Sequence, residues 1–442
     1  MSATAKIHLV SLGCPKNLVD SERMLGLLGG HGYEVTADPL EADIVIVNTC
    51  GFIGPAKEES VEAIMAAHRL RQEGRCRGVI VTGCLSQRYE QELKKDLVEA
   101  DAVLTLAQEA DIVRHVDRLL GRTRSRYLDN LPRRTLTPAH WAYLRISDGC
   151  DHQCSFCAIP AIRGPHRSES MEDLVAEARR LAAAGVRELV LVSQDSVRYG
   201  RDRYGQARLV PLLEQLAQVE GIEWLRLMYT YPAFWTEEMI AFHAESPKMC
   251  RYVDMPLQHI SDPVLARMKR ATTRERTLGL LERLRQRIPG VGMRSSFIVG
   301  FPGETEAQFE ELLAFVEESR FDNATCFIYS PEEDTAAFDL DGQHPEAVKE
   351  ERYRRLTELQ DRVSADINHA LVGTRQTALV DGRNEDGTFS GRLERDAPEI
   401  DGQVAIDAGD RQGPELGGRF AEVEIIGAYS YELTARLAGR TW

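Results

Sequence analysis

The sequence predicts an α/β protein in three parts: an N-terminal Rossmann-like α/β domain, a central TIM-like partial (β/α) barrel and a small C-terminal antiparallel β-barrel. Two features of the chain predict this class. In the first two parts, short apolar runs alternate with amphipathic helical segments, which indicates parallel strands covered on both faces. In the last part, Gly and Asp separate short alternating runs, as in small antiparallel barrels. At 442 residues, the chain is also too long for one hydrophobic core.

The first domain is predicted over residues 1–121. Its strand-like runs are Lys6–Ser11, Asp43–Asn48 and Gly78–Thr82. A helical pattern follows each run, at Asn17–Leu28, from about Lys57, and around Tyr89 and Leu93. This alternation predicts a parallel sheet with helices on both faces.

The central part is predicted over residues 140–371, after a linker at residues 122–139 that is rich in Arg, Pro and Thr. Helical patterns separate its strand-like runs, which is typical of a TIM-like barrel or an open relative of one. A long charged helix at about Pro345–Leu371 follows the barrel. The strand-like runs are Tyr143–Ile146, Glu188–Ser193, Trp224–Tyr229, Arg251–Met255, Arg294–Val299 and Thr325–Tyr329.

The small barrel is predicted over residues 374–442, with strands at Thr377–Val380, Gln403–Ile406 and Phe420–Ile426. This part contains 13 acidic residues, 8 Arg and no Lys, and so has a net charge of −5. RNA binding needs basic side chains to neutralise phosphate, so an acidic barrel is better suited to a basic protein partner. A solvated acidic face without a binding role is the alternative.

The whole chain has a net charge of −15, which counts against a nucleic-acid partner. No apolar run approaches the roughly 18 residues of a membrane span, and the N-terminus has no apolar signal region. We therefore expect a cytoplasmic protein with neither a membrane nor a DNA partner. Its nine cysteines are not expected to form disulfides, because the cytoplasm keeps thiols reduced. Cys76, Cys250 and Cys326 have no partner at ligand spacing and are predicted to be packing residues.

Cys150, Cys154 and Cys157 form a C-x3-C-x2-C motif just after the predicted strand Tyr143–Ile146. Three thiolates in one short loop can hold an iron–sulfur cluster and leave one iron open for a substrate. A structural zinc site with His152 as its fourth ligand is the alternative. The spacing favours iron and sulfur, because it differs from the usual pairs of zinc ligands.

Cys14, Cys50 and Cys84 each lie just past the end of a predicted strand of the first domain. They are 36 and 34 residues apart, too far for a loop motif. The carboxyl ends of parallel strands share one edge of a sheet, and such folds bind ligands there. Three distant cysteines can therefore meet at one metal site, and three unrelated turn cysteines are the alternative.

The C-x3-C-x2-C motif, at the head of a βα barrel and with Phe156 before its last cysteine, resembles the radical S-adenosylmethionine superfamily. The resemblance implies a [4Fe–4S] cluster held by Cys150, Cys154 and Cys157. It further implies that the open iron binds S-adenosylmethionine, and that one electron cleaves this molecule to a 5′-deoxyadenosyl radical.

The full layout, with a three-cysteine α/β domain and a small C-terminal barrel, resembles the methylthiotransferases over essentially the whole chain. This resemblance implies a second [4Fe–4S] cluster on Cys14, Cys50 and Cys84, whose open iron carries the sulfur to be inserted. It also implies that the C-terminal barrel is of the TRAM type.

The run Ser11–Glu22, with Pro15 where transfer-RNA modifiers usually have a polar residue, resembles the branch that modifies small-subunit ribosomal protein twelve. The implied reaction replaces a β-hydrogen of one aspartyl residue by a methylthio group. The implied partners are that ribosomal protein, free or in the ribosomal subunit, and an electron donor such as flavodoxin or ferredoxin. Further matches to this branch are Ser193–Asp195, Pro256–His259, Gly300–Thr305 and Tyr329–Glu332.

Two other functions remain open at this point. A transfer-RNA adenosine methylthiotransferase has a similar layout, and a non-catalytic iron–sulfur electron carrier or scaffold would need only the cluster ligands. An assay for 5′-deoxyadenosine separates the last of these from an enzyme.

Candidate contacts to S-adenosylmethionine lie at the predicted ends of the barrel strands, which form the catalytic face of such barrels. His259 also follows a strand, but a structural histidine explains it equally well. Thr325 and Asp334 stand where the family is expected to have glycine, so this chain departs from the family pattern in a region expected to contact the substrate. The candidate contacts are Phe156, Ser193, Gln194, Asp195, Gly300, Pro302, Gly303 and Glu304.

Overall fold

The computed structural model describes residues 4–409 and 416–442. The N-terminal part is a five-stranded parallel sheet with the order β2-β1-β3-β4-β5. Its strands are β1 (Lys6–Ser11), β2 (Glu34–Val35), β3 (Ile44–Thr49), β4 (Gly78–Gly83) and β5 (Ala102–Val103). Its helices are α1 (Pro15–Gly30), α2 (Gly54–Glu73), α3 (Cys84–Arg88), α4 (Glu90–Asp96) and α5 (Ile112–Leu120).

This order is the flavodoxin-like variant of the doubly wound fold, and its topological switch point lies between β1 and β3. The three predicted strands are confirmed. The edge strands β2 and β5 were not predicted, because two residues are too few to show a pattern. The single helix predicted around Tyr89 is wrong: the backbone of Tyr89 leaves the helical region, with φ −123° and ψ 40°, and separates α3 from α4.

Alternate residues of β3 pack on opposite faces of the sheet. Ile44 and Ile46 belong to a core with residues of α1 and α5, whereas Val45 and Val47 belong to a core with residues of α2. All four are fully buried. This burial explains why the strand is continuously apolar, as expected for a parallel strand with both faces covered.

The central part contains the next eight strands and nine helices in the described chain. The strands are β6 (Trp141–Arg145), β7 (Ser147–Asp148), β8 (Arg167–Ser168), β9 (Glu188–Val192), β10 (Trp224–Leu227), β11 (Tyr252–Asp254), β12 (Gly292–Val299) and β13 (Asn323–Ile328). The helices are α6 (Ile159–Arg163), α7 (Met171–Ala183), α8 (Arg201–Tyr204), α9 (Leu209–Ala217), α10 (Glu237–Glu245), α11 (Asp262–Arg267), α12 (Arg274–Arg287), α13 (Glu306–Ser319) and α14 (Glu346–His369).

Two three-stranded parallel sheets, β6-β9-β10 and β11-β12-β13, form the partial barrel. Backbone bonds join them: Cys250 N–H donates to the Leu225 carbonyl at 2.9 Å, and Thr230 N–H donates to the Asp254 carbonyl at 3.0 Å. All six predicted barrel strands are present. Together they make an open, six-stranded arc.

Both flanking parts fill the inner face of this arc. Val19 of α1 and Phe420 of the C-terminal barrel share one buried cluster with the strand residues Tyr143, Val190 and Tyr252. Apolar side chains from the two flanking parts thus occupy positions that a closed barrel fills with its own layers.

The C-terminal part is a closed barrel with the strand order β14-β15-β16-β18-β17. Its strands are β14 (Arg375–Arg383), β15 (Phe389–Leu393), β16 (Gln403–Asp407), β17 (Phe420–Ala428) and β18 (Glu432–Thr441). The barrel is confirmed, but β16 and β18 pair in parallel. Since β17 pairs with β14, its hairpin partner β18 closes the barrel beside β16 in the same direction.

Buried ion pairs attach this barrel to the central strands. Glu188, at the start of β9, accepts hydrogen bonds from Arg226 of β10 and Arg392 of β15, both at 2.7 Å. All three side chains are at most 3% exposed. Pairing offsets the cost of burying these charges and fixes the orientation of the two parts.

Residues 122–139 contain neither a helix nor a strand. Arg133 in this segment pairs with Glu22 of α1 and Glu177 of α7, and so connects the first two parts. The domain boundaries themselves stay predictions. No helix among the described residues has the length and apolar character needed to cross a membrane.

Candidate active site

The first cysteine set lies on the loop between β7 and α6, at the carboxyl edge of the arc. Cys150 N–H donates to the Gly164 carbonyl at 3.0 Å and closes this loop. Gly149 has φ +75°, and a Cβ there would lie 2.2 Å from the Pro165 carbonyl oxygen. Only glycine therefore fits the close turn that leads into Cys150.

Donors point at two of the three sulfurs. The backbone N–H of His152 donates to Cys150 Sγ at 3.4 Å, and Arg270 Nη1 donates to Cys154 Sγ at 3.6 Å. Burial raises the pKa of the Cys150 thiol to about 11 and that of Cys157 to about 12. Buried thiols need a bound cation to become thiolates, and donors to sulfur support that charged form.

The side chain of His152 supports this loop. Its Nε2 lies 2.6 Å from Asp195 Oδ2, and its ring stacks on Tyr231 at a centroid distance of 4.0 Å. Arg270 covers Tyr231 at 4.0 Å. Because Nε2 is engaged by a carboxylate, this contact does not support His152 as a fourth zinc ligand.

The second cysteine set lies at the carboxyl ends of three strands of the N-terminal sheet. Cys14 precedes α1, Cys50 directly follows β3, and Cys84 is the first residue of α3 after β4. Gly13 has φ +85°, and a Cβ there would lie 2.9 Å from Cys50 Cβ and 3.1 Å from Cys50 Sγ. The loops that follow β1 and β3 are therefore in contact, at the switch point of the sheet.

One amide side chain contacts all three of these loops. Asn17 Nδ2 donates to the carbonyls of Leu12 at 3.1 Å and Thr49 at 2.9 Å, and its Oδ1 accepts from Cys84 Sγ at 3.4 Å. Burial raises the pKa of Cys84 to about 12; Arg163 opposes this rise, while Cys14 and Cys50 add to it. The three distant cysteines thus lie on loops that share one buried side chain, Asn17.

Among the described residues, no three His, Cys, Asp or Glu side chains form a group that could hold a metal ion. A [4Fe–4S] cluster differs from one ion, because its thiolates bind different irons and so stand apart around a cage. Two sets of three cysteines, with donors directed at two sulfurs of the first set, fit this ligand chemistry.

Ser193, Gln194 and Asp195 follow β9 as predicted, but they face different groups. Ser193 Oγ is buried against Ser196 Oγ at 3.1 Å, and Asp195 is paired with His152. Gln194 Nε2 donates to Asp148 Oδ1 at 3.0 Å, while its buried Oε1 has no partner within residues 4–409 and 416–442. Of the three, Gln194 therefore retains an acceptor for a ligand.

The turn Gly300–Thr305 is held by its own carboxylate. Glu304 is 1% exposed and accepts from Gly300 N–H at 2.5 Å and Arg352 Nη1 at 2.8 Å; its other oxygen lies 3.0 Å from His259 Nε2. His259 Nδ1 also accepts from Ser261 N–H at 3.0 Å. Both residues thus serve the internal structure of the turn, and a cofactor contact by Glu304 stays a prediction without support from its surroundings.

The other predicted contacts in this region pack against α11 and the loop after β13. The Pro302 carbonyl accepts from Arg267 Nε at 3.0 Å, and Gly303 N–H donates to the Gly342 carbonyl at 2.8 Å. Phe156 packs at the edge of an apolar cluster that contains Phe301. The loop of the first cysteine set and the turn Gly300–Thr305 therefore meet in one apolar cluster.

The two departures from expected glycines have different consequences. Asp334 has φ +64°, in the left-handed region where glycine is favoured and Asp is tolerated. Thr325 lies in β13, and its Oγ1 accepts from Arg294 Nη2 at 2.9 Å. The strain is therefore confined to position 334, in the loop that leaves the last barrel strand.

Sequence reasoning missed three side chains beside the cysteine sets: Arg163, Arg270 and Glu332. Glu332 is 2% exposed and accepts from Gly54 N–H at 2.7 Å and Arg88 Nη1 at 2.8 Å. It joins the loop after β13 to the start of α2 and the end of α3. The match of Tyr329–Glu332 to the family pattern was the sequence signal for Glu332. Arg163 and Arg270 belong to no such motif.

Three family matches divide the chain in the same way as the fold. Residues 6–105 match the Uncharacterized protein family UPF0004, residues 144–316 match the Radical SAM superfamily, and residues 372–438 match the TRAM domain. Among solved structures, the radical S-adenosylmethionine methyltransferase TsrM from Kitasatospora setae is similar, with a TM-score of 0.52 and 15% identity over 87% of this chain and 81% of that chain. This likeness supports the fold alone.

Fold and site thus define a radical S-adenosylmethionine enzyme with a TRAM barrel. The ribosomal protein uS12 methylthiotransferase RimO of Pelotomaculum thermopropionicum is 48% identical over 439 residues, which cover 97% of this chain and 98% of the relative. The protein of the same name from Desulforudis audaxviator is 47% identical over 441 residues, which cover 98% of this chain and 97% of the relative. The chain belongs to the ribosomal protein uS12 methylthiotransferase RimO family, whose cofactors are [4Fe–4S] clusters and S-adenosylmethionine.

Proposed function

We propose that this chain replaces a β-hydrogen of one aspartyl residue of ribosomal protein uS12 by a methylthio group. The identity of 48% with a uS12 methylthiotransferase over 97% of the chain is the observation that carries this proposal. The acidic C-terminal barrel, with its net charge of −5, supports a basic protein substrate.

The first cysteine set, Cys150, Cys154 and Cys157, is proposed to hold the cluster that binds S-adenosylmethionine. When bound, these cofactors supply a 5′-deoxyadenosyl radical that removes a hydrogen atom from the substrate. Arg270 and the backbone of His152 stabilise negative charge on the ligating sulfurs, and the free Oε1 of Gln194 offers an acceptor near this set.

The second set, Cys14, Cys50 and Cys84, is proposed to hold the cluster that carries the sulfur to be inserted. Asn17 orients the loops of these three cysteines, and Glu332 holds α2 and α3 against the barrel. These residues thereby keep the second set beside the carboxyl edge of the arc, where the first set lies.

A flavodoxin or ferredoxin is the proposed electron donor. Each cleavage of S-adenosylmethionine needs a single electron, and these proteins deliver electrons singly. We also propose a cytoplasmic location, because that compartment keeps the six ligand thiols reduced. Neither a membrane nor DNA has a part in the proposed reaction.

The test is a direct choice of substrates. The full chain is reconstituted with iron and sulfide without oxygen, reduced, and incubated with S-adenosylmethionine and either uS12 or unmodified transfer RNA. A methylthio-aspartyl residue in uS12, detected by mass spectrometry, is the expected product. Methylthioadenosine in the RNA with unmodified uS12 would contradict the proposal, and absence of 5′-deoxyadenosine in both reactions would contradict an enzyme altogether.

A further inference from the structure

A buried guanidinium lies between the two cysteine sets. Arg163 ends α6, the helix that follows Cys157, and is 4% exposed. Its Nη1 donates to both carboxylate oxygens of Asp148, at 3.1 and 3.0 Å. Its Nη2 donates to Asn17 Oδ1 at 2.5 Å and to Asp20 Oδ2 at 2.9 Å. One side chain thus joins the loop of the first set to α1 of the N-terminal part.

The contact with Asn17 extends this connection to the second set. The Oδ1 that accepts from Arg163 is the atom that also accepts from Cys84 Sγ. The amide cannot rotate freely, because its Nδ2 is bound to the carbonyls of Leu12 and Thr49. A displacement of Arg163 would therefore be passed to the loops of all three cysteines.

Direct packing supports the same connection. Cys84, at the start of α3, forms a buried apolar cluster with Ala158 and Ile162 of the segment that carries α6. The helix after the first set therefore rests on the residue that ends the second set. Protein interiors are close-packed, so such a contact transmits small shifts.

The charges around Arg163 are balanced within the network. Arg145 shares Asp20 with Arg163 and also lies 3.8 Å from Asp148, so two cations face two carboxylates. Each of the four belongs to the edge between the N-terminal part and the arc. Burying four charges is costly compared with apolar packing, and such networks are kept in some proteins for the specific geometry that they impose.

We propose that Arg163 is a positioning residue for methylthiolation: it fixes the spacing and orientation of the two cysteine sets and keeps a permanent positive charge beside the second set. This inference rests on the proposed function, because it requires both sets to hold clusters. Sulfur transfer from one site to a substrate radical made at the other depends on alignment, and a misplacement of 1 Å can cost about 10²-fold in rate.

The test compares Arg163→Gln, which removes the charge, with Arg163→Lys, which keeps the charge. The single ammonium of lysine cannot reach Asp148 on one side and Asn17 on the other as the guanidinium does. Arg23→Gln is the matched control, because Arg23 of α1 pairs with Glu169 of the central part at 3.1 Å on the surface, where both side chains are more than one third exposed. Iron and sulfide content, the reduction potential of each cluster, and the ratio of methylthio product to 5′-deoxyadenosine are measured for all three.

Arg163→Gln is expected to keep its iron and to cleave S-adenosylmethionine within about twofold of the wild-type rate. Its ratio of product to 5′-deoxyadenosine should fall about 10²-fold. The potential of the cluster on the second set should become more negative, because a nearby positive charge is lost. Arg163→Lys should restore the potential while the ratio stays about tenfold low, and Arg23→Gln should match the wild type.

A wild-type ratio and potential in Arg163→Gln would overturn the inference, as would an equal effect of Arg23→Gln. If Arg163→Gln fails to fold, Arg163→Lys decides: a wild-type ratio in that variant overturns the positioning role. Failure of the wild-type chain itself to methylthiolate uS12 would instead contradict the proposed function.

Discussion

The two cysteine sets come from different kinds of local structure. The first set comes from one loop, Cys150–Cys157, which a glycine turn and several backbone bonds hold in place. The second set comes from the ends of three strands, and its successive ligands are 36 and 34 positions apart. The first set (the loop set) is therefore a local feature of the sequence. The second set (the assembled set) exists only when the sheet has formed.

This difference determines what each set depends on. The assembled set needs the parallel order of β1, β3 and β4, the amide of Asn17 and the contacts of Glu332 across the boundary with the arc. The loop set needs mainly its own turn and the neighbouring α11 segment, where Ser155 N–H donates to the Met268 carbonyl at 3.0 Å. Replacing the ligands of one set should therefore leave the ligands of the other set in place.

The largest effect is expected from Cys150, Cys154 and Cys157 replaced together by Ala. Loss of all three ligands removes the cluster that binds S-adenosylmethionine, so formation of 5′-deoxyadenosine should fall to background. Chromatography of the anaerobic reaction measures this product. Cys76→Ala is the control, because Cys76 is buried in the core beside α2, away from both cysteine sets. Persistent cleavage in the triple variant would refute the assignment of the loop set.

The corresponding triple replacement of Cys14, Cys50 and Cys84 should have a narrower effect. Cleavage of S-adenosylmethionine is expected to continue, while methylthiolated uS12 disappears, because the sulfur-carrying cluster is lost. Mass spectrometry of uS12 and an assay of 5′-deoxyadenosine in one reaction measure both outcomes. Sulfur insertion by this variant would show that the assembled set is not the sulfur carrier.

Two glycine substitutions sharpen the comparison with smaller changes. Gly149→Ala should disturb the loop set, because Gly149 has positive φ and an added Cβ would lie 2.2 Å from the Pro165 carbonyl oxygen. Gly13→Ala should disturb the assembled set, because Gly13 also has positive φ and an added Cβ would lie 2.9 Å from Cys50 Cβ. Each should cost about 1–3 kcal/mol of folding free energy. Denaturant unfolding and iron content after reconstitution measure the two effects.

Gly29→Ala is the control for both glycines. Gly29 lies in α1, where an added Cβ would have no neighbouring atom within 4 Å, and alanine favours a helix by about 0.5–1 kcal/mol. This variant should be at least as stable as the wild type. Loss of more iron than one cluster holds in either glycine variant would contradict separate loading of the two sets.

The smallest effect is expected from Glu109, a buried carboxyl group of the N-terminal part. Glu109 is 8% exposed and accepts from Thr82 Oγ1 of β4 at 2.9 Å. Burial, followed by the charge of Asp20, raises the pKa of Glu109 to about 8 from 4.5. Between these values the folded chain binds a proton that the unfolded chain releases, so the free energy of unfolding should decrease as pH rises through this window.

Glu109→Gln keeps an acceptor for Thr82 but cannot ionise. The variant should be more stable than the wild type at pH 8, by on the order of 1 kcal/mol, and should show no gain at pH 4. Urea unfolding at both pH values measures the difference. The exposed Glu92→Gln should change neither value; the same gain at pH 4 and pH 8 would contradict the titration of Glu109.

The sequence predicted what depends on local pattern. Apolar periodicity located the six strands of the arc, and the spacing of Cys150–Cys157 identified the loop set. The assembled set followed from one rule, that parallel strands end at a common edge. That rule gives no distances, so the sequence alone leaves three unrelated turn cysteines as an alternative.

Other features depend on contacts that are far apart in the chain. Arg163 meets Asn17 across 146 residues, Arg270 meets Cys154 across 116, and Glu332 meets Gly54 across 278. No periodicity or spacing marks such residues. The parallel pairing of β16 with β18 was missed for a similar reason, since it follows from how β17 pairs with β14. The engagement of Glu304 by Arg352 likewise depends on α14, which lies far along the chain.

The central claim is that each cysteine set holds its own cluster. Anaerobic counting of iron and sulfide in the wild type and in the two triple variants tests it most directly. The account predicts that each triple variant loses about half of the iron and sulfide of the wild type, because equal clusters occupy the two sets. An undiminished count in the chain without Cys14, Cys50 and Cys84 would contradict it.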